Sequence, residues 1–439
     1  MLRTFEERMI GEMTDHERSV VRHGAGWFFL VLFSYYILRP IREQISATYG
    51  IKNLEWLFFA TFSAMLVAIP TFAFLVSRFD RKKLVPSIYG FFIVSLLGFW
   101  AAFRFTPDSA LIGEVAAQEW IARVLFIWIS VYGLFIVSFF WSVIGDMLST
   151  EQGRRLFGFV MAGGTAGGMA ASLVAGWLTE NIGQVNLLFL PGIALGLSLF
   201  VYFDLERAHR TLGPQQDQSS IGQATGGNPF AGLTAVLGSH YLLAIAAFGF
   251  LLATCGTTIY FQQAEIVAEA LTTDEAKTSF FARVNFCVQV LTILLQTLVV
   301  GRLMKWFGVG LTLAVLPLAY IFGITSLALA PTLTVLAVIS VTGRAAEYAI
   351  SNPAREVLFT AVNREDRYKA KSFIDTIVRR GGDAGIGSLY RQLRSSAGLA
   401  MTTLSWCVVP IAIGWLGLAI FIGRENKKIS ERVPAAESQ

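Results

Sequence analysis

Long apolar runs constrain this chain more than any other feature. Residues 120–146 and 401–423, for example, carry almost no charge. A helix rises ~1.5 Å per residue and a bilayer's hydrocarbon core is about 30 Å thick, so each run is long enough to cross it. Counting these with the more polar stretch 371–395 gives twelve candidate spans: 24–45, 54–77, 84–105, 120–146, 156–179, 184–204, 237–262, 279–303, 307–329, 332–358, 371–395 and 401–423. Inside a bilayer every backbone polar group must be satisfied within the protein, which leaves helices or closed barrels. Barrel strands alternate apolar and polar residues, and these runs do not. The expectation is an all-α membrane protein with 12 transmembrane helices, in keeping with a chain that is 54% hydrophobic with mean hydropathy +0.59. Residues 1–22 are charged and contain no apolar core, so no cleavable signal peptide is expected.

A polar stretch rich in Gly, Gln and Ser, with Pro214 and Pro229, separates the sixth run from the seventh. It reads as a linker between two six-helix halves. The expected organisation is an N-terminal segment 1–23, a first half 24–204, a linker 205–236, a second half 237–423 and a tail 424–439. Basic residues cluster in alternate loops: Arg78, Arg81, Lys82 and Lys83; Arg154 and Arg155; Arg302 and Lys305; Arg364 and Arg367. The opposite loops hold Lys52 and Lys277. The positive-inside rule then makes both termini and the linker cytoplasmic, with a bacterial inner membrane as the expected location. The net charge of +5 reflects this loop bias, and no nucleic-acid polymer is expected as a partner. SRFDRKK after the second run has a weak counterpart in GRLMKWFG after the eighth, and GGTAGG (163–168) one in GGDAGI (381–386). Two pseudo-symmetric six-helix halves are the arrangement of the major facilitator fold, whose substrate sites lie near the midplane. The three cysteines, Cys255, Cys287 and Cys407, lie in apolar runs and form no disulfide or metal pattern. No cofactor, no metal and no enzymatic activity are expected.

The candidate chemistry lies in charges placed where charge is expensive. In the first run the apolar part, Gly24–Leu38, is too short to cross, so the helix has to continue through Arg39, Pro40, Arg42 and Glu43. Arg39 and Glu43 are four apart and share a face. In the tenth run Arg344, Glu347, Tyr348, Asn352 and Arg355 recur at helical spacing. In the eleventh, Lys371, Asp375 and Arg379 follow at intervals of four, and Asp375 is expected between the two cations. Gly381, Gly382, Gly385 and Gly387 admit either close helix packing or a broken helix, with packing preferred. GRRLFGFVMAGGTAGGMAAS (153–172) reads as a packing surface. Arginine presents a planar, permanently charged fork to phosphate or carboxylate, so an Arg-rich polar interior favours an anion. Tyr35, Tyr36 and Tyr348 are available for stacking on a base or sugar. The residues alone therefore indicate an anion transporter.

ILRPIRE in the first run and PAREVLFTAVNREDRYKAKSFIDTIVRRGGDAGIGS across the tenth and eleventh resemble the family of ATP/ADP exchangers and nucleotide importers. Arg42 and Arg355 stand where that family carries lysine. Glu43, Glu356, Lys369, Lys371 and Asp375 match its motif positions. The resemblance implies a secondary transporter, working as a monomer by alternating access, that moves a small phosphorylated, nucleotide-like anion by exchange or ion coupling. Together with the residue chemistry above, it gives an expected substrate-binding set of Arg39, Arg42, Arg344, Arg355, Lys369, Lys371 and Arg379. Glu43, Glu347, Glu356, Asp375 and Asp383 would pair with these cations or carry a coupling proton. The exchangers also carry acids in the fourth and seventh helices, where this chain has Ile129 and Thr257. That departure leaves two other readings: transport of an anionic lysophospholipid or other organophosphate, and a transport-inactive membrane sensor or scaffold.

Overall fold

In a computed structural model of the protein, the residues described are 13–50, 54–148, 150–212, 231–362, 369–371 and 373–436. Apart from a two-stranded hairpin (Leu111–Ile112 with Val115–Ala116), turning at Gly113 between the third and fourth spans, these residues are helical or in short connections.

The spans run Asp15–Thr48, Leu54–Arg78, Arg81–Phe105, Ala117–Met147, Thr150–Ile182 and Phe189–Leu212 in the first six. The seventh is His240–Ala270. One continuous helical stretch, Asp274–Leu329, holds the eighth and ninth. They part at Gly308, whose φ of 71° lies in the left-handed region that glycine alone enters at little cost. The tenth is Leu333–Thr360, the described residues of the eleventh are 369–371 and 373–395, and the twelfth is Met401–Ala436. The eleventh is too charged to be recognised by hydropathy, so the count of twelve comes from the fold as well as from apolar length.

Several helix ends lie beyond their expected positions. The first helix begins at Asp15 rather than Gly24, which takes in part of the expected N-terminal segment. The last runs through the expected tail to Ala436. A short helix, Ala231–Leu237, occupies the end of the expected linker. The first helix passes through Pro40 without a break and reaches Thr48, as its short apolar run requires.

The chain forms two compact units. One comprises Met1–Ile45, Val67–Ala224 and Thr273–Phe286; the other comprises Ser46–Leu66, Thr225–Thr272 and Cys287–Gln439. The first unit is centred on buried aromatics. Trp27 packs edge-on to Phe140, with ring centroids 4.9 Å apart, and lies against Tyr202 and Tyr89. Here the fifth span meets the first through Gly163, Gly164 and Gly167. A methyl group at these positions would run into Ala25, Phe28 or Phe29, so the small-residue stretch is a packing surface. In the second unit Trp415 is fully buried against Phe248 and Tyr320. Trp177, Phe200 and Phe322 point outward, as lipid-facing side chains do.

Candidate functional site

The charged stretch of the tenth and eleventh spans folds into a ladder between two helices. Lys371 Nζ bonds Glu356 at 2.7 Å, Arg355 Nη2 lies 3.1 Å from Asp375 Oδ1, and Arg379 bonds Glu347. The expected arrangement, with Asp375 bridging Lys371 and Arg379 along its own helix, is therefore corrected. Each member of that trio takes its partner from the tenth span. An antiparallel neighbour presents a counter-charge at each level, and a cross-helix pair holds both helices in register.

Both helices widen where the acids sit. Glu347–Ser351 and Ile374–Val378 are π-helical turns. In the first, the Asn352 N–H reaches back five residues to the Glu347 carbonyl. Pro353 follows at once; it lacks an N–H, and its ring crowds the carbonyl four residues earlier, so a widened turn relieves the helix. π-Turns recur at functional sites because they re-aim side chains. Downstream, the eleventh helix is continuous through its glycines, so the broken-helix alternative is not realised. Gly382 and Gly387 instead face Ala253, Phe250 and Phe261 of the seventh span.

The seventh span supplies the rest of the polar surface. Thr257 Oγ1 donates to Asp383 Oδ1 at 2.9 Å. Thr257 was the position where an acid was missing, and the structure brings one to it from the eleventh span. Further along, Gln263 Oε1 accepts from Arg344 Nη2 at 3.2 Å and from Ser340 Oγ at 3.4 Å. Gln263, Ser340 and Arg344 border a small open recess of about 70 Å³ among the seventh, ninth and tenth spans, together with Tyr260 and Tyr320.

In the first unit, Arg39 Nε donates to Glu43 Oε1 at 3.3 Å, the pair expected from their spacing. Arg39 also donates to the Tyr36 hydroxyl at 3.4 Å, and Tyr36 stands edge-on to Tyr35. Arg42 differs. Its guanidinium lies 4.0 Å from the Phe126 ring centre, its Nε is buried without a hydrogen-bond partner, and among the described residues it has no acid within ion-pair distance. A cation over an aromatic face is stabilised by about 0.5–2 kcal/mol, which leaves its net charge in place. Ile129 is fully buried.

The expected residues thus separate. Arg344, Glu347, Arg355, Glu356, Lys371, Asp375, Arg379 and Asp383 meet in the second unit. Arg39, Arg42, Glu43, Tyr35 and Tyr36 meet in the first. Tyr348 and Lys369 are half-buried. Of the motif's other basic residues, Arg364 and Arg367 lie outside the described residues and Arg380 is exposed. The sequence reading missed Gln263 and Ser340. Its available signal was Gln262–Gln263, two successive amides inside an apolar 31-residue helix.

Comparison with known proteins accords with this architecture. Residues 25–362 match the family model described as Major Facilitator Superfamily. No curated protein sequence matches. A bacterial homolog to the human lysosomal transporter Spinster, in an inward-facing and unoccupied conformation, shares the fold with TM-score 0.57 at 15% identity, covering 95% of this chain and 99% of that one. The nucleoside transporter NupG gives 0.55 at 12% identity over 95% of this chain and 99% of its own. A NupG variant gives 0.59 at 11% over 94% and 100%. Such low identities speak to fold alone, whereas the family match spans most of the chain. The chain belongs to the major facilitator superfamily.

Proposed function

We propose that this transporter carries a small phosphorylated, nucleotide-like anion across a bacterial inner membrane by alternating access, with both termini and the 205–236 linker in the cytoplasm. The observation that carries the reading is Arg42, a guanidinium on the first span held against Phe126 with no described carboxylate to neutralise it. A permanent charge on a membrane helix is costly unless a counter-ion arrives, and a phosphoryl group is the fork-shaped partner arginine binds best. The motif around Arg42, ILRPIRE, resembles that of nucleotide exchangers and supports the same substrate class. By contrast, Lys371, Arg355 and Arg379 already face Glu356, Asp375 and Glu347. They act in this reading as the framework of the second unit more than as substrate ligands.

The test is a melting-temperature screen of the purified protein against AMP, ADP, ATP, glucose 6-phosphate and a lysophospholipid. A ligand at ~100 times its Kd stabilises by about 2.7 kcal/mol. Stabilisation by a nucleotide that disappears in Arg42→Gln supports the reading. Stabilisation by the lysophospholipid alone replaces nucleotide with lipid, and a flat response to every phosphorylated compound overturns the proposal.

A further inference from the structure

One buried polar side chain in the second unit has no role in the charge ladder. Gln263 lies on the seventh span and is 2% exposed. Its Oε1 is saturated by Arg344 Nη2 and Ser340 Oγ. This fixes the orientation of the amide: turned over, its NH2 would face a guanidinium that can only donate. Nε2 is therefore the remaining end, and it is a buried donor with no acceptor. A buried, unpaired amide is unfavourable, so its persistence calls for an explanation. The side chain borders the open recess of the seventh, ninth and tenth spans.

The lining of that recess is one-sided. Arg344 contributes a positive charge, and no carboxylate is among the residues that border it. Gln263 borders it with an amide whose oxygen is already occupied and whose buried Nε2 is the end left without an acceptor. Ser340, Tyr260 and Tyr320 add hydroxyls, and Gly256 and Gly343 keep the floor open. A group bringing its own donors, such as an amine, finds no free strong acceptor there and meets a like charge. A group bringing several acceptor oxygens meets donors from two helices.

We propose that this recess binds an oxyanion, the phosphoryl or carboxylate end of the transported molecule, with Arg344 supplying the charge and Gln263 the donor that selects for it. Occupancy gives Nε2 the acceptor it lacks. The assignment rests on the anion-transport reading and narrows it, because it places the anionic end at the seventh and tenth spans rather than on Lys371 or Arg379. Gln263 is then a specificity-determining residue.

The experiment is binding to the purified full-length protein, followed by calorimetry, with inorganic phosphate, AMP, adenosine and citrate as probes. Gln263→Glu is the informative variant. It keeps an acceptor for Arg344 and Ser340, so the local hydrogen bonds that hold the helices survive, but it replaces the donor with a carboxylate that repels an oxyanion. The expected result is Kd raised about tenfold or more for AMP or phosphate with no fall in melting temperature of the ligand-free protein. Gln263→Met, which fills similar volume without a donor, gives a loss in the same direction and covers the case in which the glutamate variant folds poorly. Tighter binding of AMP than of adenosine or citrate assigns a phosphoryl ligand; tighter binding of citrate assigns a carboxylate. Unchanged affinity in both variants, with Arg42→Gln still impaired, overturns this site and leaves the transport reading standing. Failure of the unaltered protein to bind any anionic probe overturns both.

Discussion

Asp375→Asn tests the charge ladder most sharply. Asp375 Oδ1 is 3.1 Å from Arg355 Nη2; the arginine side chain is 9% exposed and the aspartate 35%. Arg355 also has buried Nε and Nη1 atoms without hydrogen-bond partners, so the aspartate is its one described counter-charge. At an effective dielectric constant near 20, unit charges ~4 Å apart attract by about 4 kcal/mol. Removing one partner of a fully buried pair costs roughly 3–5 kcal/mol, because the other is left charged in a poor solvent. Asp375 is one-third exposed, so water already screens part of the attraction, and a loss of ~2–3 kcal/mol follows. At about 2–4 °C per kcal/mol for a unit of this size, the melting temperature falls by about 5–10 °C. Lys371→Gln is the built-in comparison. Its pair with Glu356 is 38% and 54% exposed, and such pairs contribute about 0–1 kcal/mol. The assay is a double-mutant cycle on melting temperature. Asp375→Asn with Arg355→Met should show strong coupling, and the double variant should recover stability relative to Asp375→Asn alone. Asp375→Asn with Lys371→Gln should be additive within ~0.5 kcal/mol. Coupling of Asp375 to Lys371 but not to Arg355 refutes the cross-helix assignment and restores the ladder along a single helix.

Three further outcomes are expected. Arg42→Lys should bind the phosphorylated ligand poorly, since the point charge remains but the planar fork is lost; wild-type affinity would mean that charge alone suffices. Single cysteines at Ser219 and Ser438 should resist an impermeant thiol reagent in intact cells, and labelling of either from outside contradicts the orientation. Gly167→Ala places a methyl group against the Phe29 backbone and should destabilise by about 1–3 kcal/mol, read as a lower melting temperature; no change would mean that the first and fifth spans can separate freely.

The spans were readable because membrane crossing imposes a length on apolar sequence, and length survives without knowledge of tertiary contacts. The boundary between the eighth and ninth spans was marked by Arg302 and Lys305, and the structure parts the two spans at Gly308 just beyond them. The eleventh span carries Lys371, Asp375, Arg379, Arg380 and Asp383, so hydropathy alone conceals it. The site divides in a similar way. Arg39–Glu43 is local, set by helical spacing, and was legible. The partners of Asp375 and Arg379 depend on the register between two antiparallel helices and on two π-turns that shift that register. Neither is encoded by i, i+4 spacing. Gln263 was harder still: an amide beside Gln262 in an apolar helix says nothing of a site until Arg344 and Ser340 occupy its oxygen.

Two carboxylates outside the ladder make the same kind of contact in each unit. In the first unit Glu180, on the fifth span, accepts from Ser279 at 2.8 Å and from Arg283 at 2.9 Å, both on the eighth. In the second unit Glu55, on the second span, accepts from Ser388 and, at 2.7 Å, from Arg391, both on the eleventh. The second and eighth spans are counterparts six apart, and so are the fifth and eleventh. The same carboxylate, hydroxyl and guanidinium therefore recur with donor and acceptor helices exchanged. Such an exchange preserves the interaction while erasing residue-by-residue similarity, so GGTAGG and GGDAGI remain as short visible traces. Each clamp also involves one of the segments, 46–66 or 273–286, that cluster away from the rest of their sequence half. The Arg283–Glu180 side chains are 71% and 53% exposed, so that pair contributes little to stability. What a serine and an arginine one turn apart do fix is which turn of one helix faces which turn of the next, and that is the property a duplicated fold has to keep.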